Sequence, residues 1–195
     1  MSTLVVAPHY DDAELGASLA LPGARLLVVA GADRNRRAEQ ERACRALGAS
    51  LAPPGQVPDG RVGADTATVL LIEAAIRDAD ARIVYGPAAL DSHQDHRAVA
   101  AAIRSAARRA PVTLVEYETT SALPEWTPNV WEPMTDADLE AQAVAVAAHA
   151  SQADRPYVDP GYLRARAVVH GAVIGAPYAQ AYRVTRGAAL LGGRR

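Results

Sequence analysis

Residues 3–16 read TLVVAPHYDDAELG, an apolar run followed at once by polar side chains. The run Thr3–Ala7 is short, rich in β-branched residues and ended by Pro8, which is typical of a buried strand. Strands buried on both faces occur in parallel sheets that helices cover. The stretch therefore predicts an α/β fold in which polar residues directly follow the first strand.

The rest of the chain alternates between strand-like and helix-like patterns. Further strands are predicted over residues 25–30, 83–85, 112–117 and 178–184, and helices over 34–47, 64–79, 95–109, 136–148 and 161–173. Residues 123–133 hold three prolines and two tryptophans and are predicted to form a loop. This order predicts a Rossmann-like, mostly parallel sheet with helices on both faces, in a single domain over residues 1–195.

Composition excludes several classes of partner. The formal net charge is −2, so neither nucleic acid nor an anionic membrane is expected as a partner. No apolar run approaches the roughly 20 residues of a membrane helix. Cys44 is the only cysteine, which rules out an internal disulfide and fits a reducing cytoplasm. We therefore expect a cytoplasmic protein that acts on a small molecule.

Two polar clusters carry the chemical signal. One is residues 8–16 (PHYDDAELG), after the first strand, and the other is residues 91–96 (DSHQDH), after the strand at 83–85. They hold three of the five histidines, and ligands of open α/β sheets bind at the carboxyl ends of the strands. Either cluster alone could be a helix cap or a surface ion pair. Together they predict a metal site at the C-terminal ends of the strands.

The residue types assign roles within this site. Zinc favours His nitrogen and carboxylate oxygen, and its catalytic sites use about three protein ligands. His9, Asp12 and His96 can supply them. Asp11 then remains as a general base, and His93 can stabilise an oxyanion. Asp95 is predicted to hold the His93 imidazole in position.

The two clusters resemble the motifs of the PIG-L or LmbE-like deacetylase family. The family pattern His-Pro-Asp-Asp-x-Glu stands here as residues 9–14, with Tyr10 in place of Pro, and His-x-Asp-His stands as residues 93–96. The resemblance implies the same three ligands, Asp11 as base and His93 beside the oxyanion. It also implies Zn²⁺, with Fe²⁺ as an alternative, and admits a homo-oligomer because family members assemble.

Weaker similarities extend along the chain. Arg36 and Asp59 lie in segments similar to family elements near the substrate, and they are predicted to bind it. Tyr10 and Asp91 are predicted substrate contacts as well, although Tyr10 could instead pack. Residues 149–152 (HASQ) and 178–182 (YAQAY) also look like family motifs, and His149 is expected to be structural.

The resemblance implies a hydrolase that removes an N-acetyl group from an amino-sugar-like or related small metabolite, in bacterial specialised-metabolite or thiol biosynthesis. One alternative is an amidase for a larger acyl group or a non-sugar amine, with Trp126 and Trp131 as its platform. Another is a non-catalytic metabolite-binding protein on the same fold. A nucleotide-binding domain ranks last, because the first strand–helix turn lacks a glycine-rich phosphate loop.

Overall fold

Seven strands form one sheet in the computed structural model, which describes residues 1–188. The strands are β1 Thr3–Ala7, β2 Arg25–Val28, β3 Ser50–Leu51, β4 Ile83–Pro87, β5 Thr113–Tyr117, β6 Val130–Met134 and β7 Tyr178–Arg186. Their order across the sheet is β3-β2-β1-β4-β5-β7-β6. The first five run parallel, and β7 pairs antiparallel with both β5 and β6. The prediction of a mostly parallel sheet is confirmed.

The prediction of a loop over residues 123–133 is wrong in part. Residues 130–134 form β6, which pairs with β7 through contacts such as Trp131 with Ala181. Pro133 lies inside this strand and cannot donate a backbone hydrogen bond. An edge strand tolerates such a proline because one of its sides needs no partner.

Within residues 1–188, six α-helices accompany the strands. They are α1 Asp12–Gly16, α2 Arg34–Leu47, α3 Thr66–Asp78, α4 Gln94–Ala106, α5 Asp136–Ala147 and α6 Pro160–Ile174. Local sequence explains most of their ends: Asp33 caps α2, a capping box between Thr135 and Asp138 starts α5, and Gly48 ends α2 in the left-handed region. None of the helices described over residues 1–188 combines the length and apolarity needed to span a membrane.

Helices cover both faces of the sheet, as predicted. Successive side chains of β1 point to opposite faces, so Leu4 and Val6 pack in one core with α3 and α4. Val5 and Ala7 pack in the other core with α2 and α5. The first strand is therefore buried on both sides, which accounts for its uninterrupted apolar sequence.

The strand order changes direction beside β1. From β1 the chain moves outward through β2 and β3, and then returns to place β4 and β5 on the opposite side. Ligands of doubly wound sheets bind in the crevice at such a switch point, outside the carboxyl ends of the strands. Both polar clusters lie there, one after β1 and one after β4.

Candidate active site

Three buried side chains converge at the switch point. His9 follows β1, Asp12 begins α1, and His96 lies in the first turn of α4. Oδ2 of Asp12 lies 3.2 Å from Nδ1 of His9 and 3.4 Å from Nε2 of His96. One ligand atom from each residue lies within 4.8 Å of the others, so the group could hold a metal ion. Two imidazoles and one carboxylate are a donor set that suits zinc.

Each of the two histidines turns its other nitrogen to a carboxylate. Nε2 of His9 lies 3.0 Å from Oδ2 of Asp95, and Nδ1 of His96 lies 2.8 Å from Oδ2 of Asp91. Metal-binding histidines commonly donate their second N–H to a carboxylate, which fixes the ring and its tautomer. The protein therefore already holds both rings in the orientation that a metal ligand needs.

Charge at this group is arranged around Asp12. Burial lowers the pKa of His9, but the Asp12 and Asp95 carboxylates outweigh it and raise that pKa to about 9. Burial likewise opposes the effect of Asp12 and Asp91 on His96, whose pKa rises to about 10. Burial would raise the pKa of Asp12, but the two imidazoles hold it far below its usual range. The site stabilises positive charge beside Asp12, and a divalent cation meets the same requirement.

A second group of side chains also meets the distance criterion. It consists of His9, His93 and Asp95. It shares His9 with the first group, and the Asp95 carboxylate already accepts hydrogen bonds from the backbone N–H groups of Gly60 (2.7 Å) and Val62 (3.2 Å). We therefore favour the first group as the metal centre.

Asp91 is not placed to contact a substrate, so that prediction is wrong. Its carboxylate is fully buried and accepts hydrogen bonds from the hydroxyls of Thr119 and Ser121, the latter at 2.7 Å. It also accepts from the backbone N–H of His93 at 2.7 Å and contacts the ring of His96. A carboxylate offers about four acceptor sites, and these partners use them. Although burial raises its pKa, these hydrogen bonds lower it to about 2.

Asp95 also differs from its predicted role. Its carboxylate contacts His9 rather than His93, whereas its backbone N–H donates to Nδ1 of His93 at 3.2 Å. His93 is thus the N-cap of α4. Because Nδ1 accepts a hydrogen bond, the neutral ring carries its proton on Nε2. Burial and the positive charges of His9 and His96 lower the pKa of His93, which favours this neutral donor.

Asp11 is buried next to the metal group in an unusual backbone conformation. Its φ is 98°, in the left-handed region, which costs a non-glycine residue roughly 1–3 kcal/mol. Burial and the neighbouring charge of Asp12 raise its pKa to about 7, although the guanidinium of Arg36, 3.4 Å away, opposes this. A carboxylate with such a pKa can accept and return a proton at neutral pH.

A cleft of about 450 Å³ opens beside the site. Its walls include Arg36 and Asp59 and also contain Tyr10, Ala30, Ala32, Asp33 and Pro58. Asp59 is exposed, with Oδ1 3.1 Å from Nε2 of His9. Tyr10 is buried, and its hydroxyl donates to the backbone oxygen of Gly31 at 2.9 Å. Packing therefore occupies Tyr10, while Arg36 and Asp59 remain in reach of a ligand.

Trp126 and Trp131 lie outside the lining of this cleft. Trp126 is buried, and its Nε1 donates to the Glu116 carboxylate at 3.1 Å. Trp131 lies on β6, three strands away from β4 and so about 14 Å across the sheet. Neither tryptophan is among the residues that line the cleft beside the metal group, which argues against a tryptophan platform there.

Sequence reasoning missed several residues of the site. Thr119 and Ser121 belong to the polar run TTS at 119–121, which follows β5 at the same edge as the two clusters. That position after a predicted strand was an available signal. Gln40 lies in the middle of α2, and no sequence signal marked it as part of the site. Its Oε1 nevertheless accepts the backbone N–H of Asp11 at 3.4 Å.

Solved structures of similar fold include a deacetylase and a hydratase. The conserved protein TT1542 from Thermus thermophilus has a TM-score of 0.80 and 24% identity, with 100% of this chain and 99% of that one covered. N,N'-diacetylchitobiose deacetylase from Pyrococcus horikoshii has a TM-score of 0.77 and 20% identity, with 94% and 83% covered. The 4-carboxy-2-hydroxymuconate hydratase GalB from Pseudomonas putida has a TM-score of 0.77 and 17% identity, with both chains fully covered. At these identities the likeness establishes the fold alone.

Sequence comparison adds a similarity to one family over part of the chain. No curated protein matches the chain significantly. The model of the PIG-L family, described as GlcNAc-PI de-N-acetylase, matches residues 28–107. That range contains the second motif at 93–96, while the first motif lies before it. The resemblance to the PIG-L de-N-acetylases that the two motifs indicated is therefore confirmed.

Proposed function

We propose that the chain is a zinc-dependent hydrolase that removes an N-acetyl group from an amino-sugar-like or related small metabolite. One observation carries the proposal: the ligand atoms of His9, Asp12 and His96 converge beside Asp11, a buried carboxylate whose pKa is about 7. Metal ligands and a separate proton acceptor are the two components that amide hydrolysis needs.

His9, Asp12 and His96 would hold the zinc ion. When bound, zinc polarises the amide carbonyl and lowers the pKa of a coordinated water from about 15.7 towards 7. Asp11 accepts a proton from the attacking water and later returns it to the departing amine. The C–N bond breaks, a C–O bond forms, and the products are acetate and a free amine.

His93 stabilises the carbonyl oxygen as negative charge develops on it. Its Nδ1 is held by the backbone N–H of Asp95, so its Nε2–H is the free donor. A preorganised donor of this kind is typically worth about 3 kcal/mol in the transition state. Asp91 acts indirectly, because it orients His96 and fixes the backbone of His93.

The size and the polar lining of the cleft beside the site favour a small polar substrate. Its volume falls within the roughly 300–1,000 Å³ range of small-molecule sites. Arg36 can donate hydrogen bonds to hydroxyl oxygens, and the exposed Asp59 can accept them from hydroxyl groups. The similar fold of a chitobiose deacetylase is consistent with an acetylated amino sugar.

Two other reactions fit the same centre. An amidase would use the same residues on a larger acyl group or on a non-sugar amine. The shared fold with a hydratase shows that this architecture also supports reactions that break no amide bond. The acetate assay below separates deacetylation from the other two reactions.

The test combines metal content with acetate release from a panel of N-acetylated amino sugars, and compares the wild type with Asp11→Asn. We expect about one zinc per chain in both proteins. We expect acetate release from the wild type, reduced at least about 100-fold in the variant. Metal without acetate release would direct the search to bulkier amides and to hydration of unsaturated acids. A folded protein that binds neither zinc nor iron would contradict the proposal.

A further inference from the structure

A buried polar network lies directly behind Asp11, and the mechanism above does not use it. It consists of Gln40 from α2, Glu14 from α1 and His149, which follows α5. All three side chains are fully or almost fully buried, between the metal loop and the two helices that cover this face. Burying three polar groups together is costly unless they hold one another or a functional group.

The network reaches Asp11 through Gln40. Oε1 of Gln40 accepts the backbone N–H of Asp11 at 3.4 Å, and Nε2 of Gln40 donates to a carboxylate oxygen of Glu14. These contacts fix the orientation of the amide, because only the oxygen can accept from an N–H group and only the nitrogen can donate to a carboxylate. Gln40 is therefore a rigid link between α1 and the backbone of Asp11.

Glu14 is in turn held from the other side. Its Oε2 lies 3.6 Å from Nε2 of His149, and both groups are wholly buried. Among residues 1–188 neither of these atoms has a hydrogen-bond partner, and at 3.6 Å the two groups face each other in a polar contact longer than a hydrogen bond. Gln142 of α5 also donates to the backbone oxygen of Glu14 at 2.9 Å. Gln40 of α2 and Gln142 of α5 therefore both hydrogen-bond to α1, the helix that begins directly after Asp11.

Asp11 needs such support because its backbone is in the left-handed region. A non-glycine residue leaves that conformation unless its surroundings enforce it. The side-chain contact of Arg36 with Asp11 acts on the carboxylate, whereas Gln40 acts on the backbone amide. The direction of the carboxylate depends on φ of Asp11, so a contact that fixes φ also aims the proton acceptor.

We propose that Gln40, held by Glu14, is a positioning residue that keeps Asp11 in its left-handed conformation and aims its carboxylate at the metal centre. This inference rests on the proposed function for its effect on turnover. Its structural part concerns the conformation of Asp11 and can be tested without any substrate.

The test variant is Gln40→Met, which removes both polar atoms of the amide and nearly preserves the volume. Gln40→Asn is the second variant, since its shorter amide cannot reach both partners, and it serves if the first does not fold. The matched control is Glu39→Gln. Glu39 is the preceding residue of α2 and accepts from the backbone N–H and hydroxyl of Ser151, at 2.9 and 2.6 Å, without touching Asp11.

Crystal structures of the variants provide the first readout. We expect Asp11 to leave the left-handed region in Gln40→Met and to retain it in Glu39→Gln. If Asp11 keeps its φ near 98° in Gln40→Met, the inference is wrong. A wild type that lacks deacetylase activity would refute the proposed function and leave this readout intact.

Kinetics of the zinc-loaded proteins provide the second readout. We expect kcat of Gln40→Met to fall about 10- to 100-fold, because small misplacements of a reacting group have effects of that size. KM and zinc affinity should stay within about 3-fold, since Gln40 contacts neither the cleft nor a metal ligand. In an Asp11→Asn background, Gln40→Met should cause no further loss. A further loss there, or a kcat equal to that of Glu39→Gln, would overturn the inference.

Discussion

The loop after β1 and the loop after β4 meet at one edge of the sheet, but different interactions hold them. The β4 loop is held by its own residues and by the neighbouring segment after β5: Asp91 binds the backbone of His93 and the ring of His96, and the hydroxyls of Thr119 and Ser121 donate to Asp91. The β1 loop depends on distant parts of the chain, because Arg36 and Gln40 of α2 support Asp11. The β4 loop, supported by the segment after β5, carries the proposed oxyanion donor, and the β1 loop, supported by α2, carries the proposed proton acceptor.

This contrast separates two ways of damaging the site. Changes within the β4 loop should act on metal binding, since that loop fixes the ring of His96. Changes behind the β1 loop should act on proton transfer and leave the metal in place. The following predictions test this division, beginning with the largest expected effect.

Replacing a ligand of the β4 loop should remove the metal and activity together. We expect His96→Ala to retain less than about a tenth of the wild-type zinc and no measurable turnover, because two remaining ligands bind zinc weakly. Elemental analysis after dialysis against a mild chelator measures this. The matched control is His170→Ala, a histidine on α6 whose Nε2 lies 2.8 Å from Glu118 and which is not part of the metal group. Stoichiometric zinc in His96→Ala would show that the ligand set is wrong.

Metal affinity should depend steeply on pH, since both loops contribute a histidine with a raised pKa. His9 and His96 titrate near pH 9 and 10, so at pH 7 the metal must displace about two protons. Zinc affinity should therefore weaken by up to about 100-fold for each pH unit below neutrality. Calorimetry in buffers of different ionisation enthalpy counts the protons. Release of no protons would contradict the geometry around Asp12.

The free energy of unfolding of the metal-free protein should fall as pH rises, whereas zinc affinity should increase. The folded pKa values of His9 and His96 exceed the unfolded value of about 6.5, so the folded state binds more protons above that pH. The stabilisation is complete below pH 6.5 and is lost as pH rises towards 10. Denaturant unfolding at several pH values measures it, and a free energy of unfolding that rises over this range would contradict the assignment.

The sequence predicted most of the fold because its signals are local. The run at 3–7 matches β1, and residues 34–47 match α2 at both ends, since Asp33 and Gly48 mark its boundaries. The strand β6 was missed because VWEPM contains a proline and forms only at the edge of the sheet, through pairing with a distant strand. Its existence depends on β7 rather than on its own pattern.

The residues of the site also divide into those that local sequence predicts and those that depend on distant contacts. The convergence of His9, Asp12 and His96 follows from the position of two clusters after parallel strands, and the structure brings these residues together. The partners of Asp91 and Asp95 could not be predicted, because neighbouring side chains of one loop point in directions that only the folded backbone defines. Gln40 lies 29 residues from Asp11 in sequence, and no local pattern indicates its contact.

Asp95 supports His9 of the β1 loop, and Asp91 supports His96 after β4. Substituting these two carboxylates therefore compares the two loops directly. Asp91→Asn and Asp95→Asn should each weaken zinc affinity about 10- to 100-fold, as expected when the carboxylate behind a ligating histidine loses its charge. Asp91→Asn should also lower kcat of the zinc-saturated enzyme, because Asp91 fixes the backbone of His93 as well. Chelator competition and steady-state kinetics separate the two effects. Equal effects of both variants on kcat would show that the β4 loop does not need Asp91 to place His93.

The smallest expected effect comes from the hydroxyl that supports Asp91. Ser121→Ala removes one neutral donor to Asp91 at 2.7 Å and a longer contact of the same hydroxyl with Nδ1 of His96 at 3.4 Å. It leaves Thr119, the backbone of His93 and the ring of His96 around the carboxylate. One hydrogen bond contributes about 1 kcal/mol, so zinc affinity should fall roughly 5-fold.

Ser92→Ala is the matched control for this variant. Its hydroxyl donates to the backbone oxygen of Ser121 at 3.1 Å and does not touch Asp91, so zinc affinity should change less than about 2-fold. Both variants remove a serine hydroxyl from neighbouring segments. Only the hydroxyl of Ser121 donates to Asp91, the carboxylate that supports His96. If both weaken zinc binding equally, general loosening of the segment would explain the loss, and Asp91 would not be the route by which the β4 loop fixes His96.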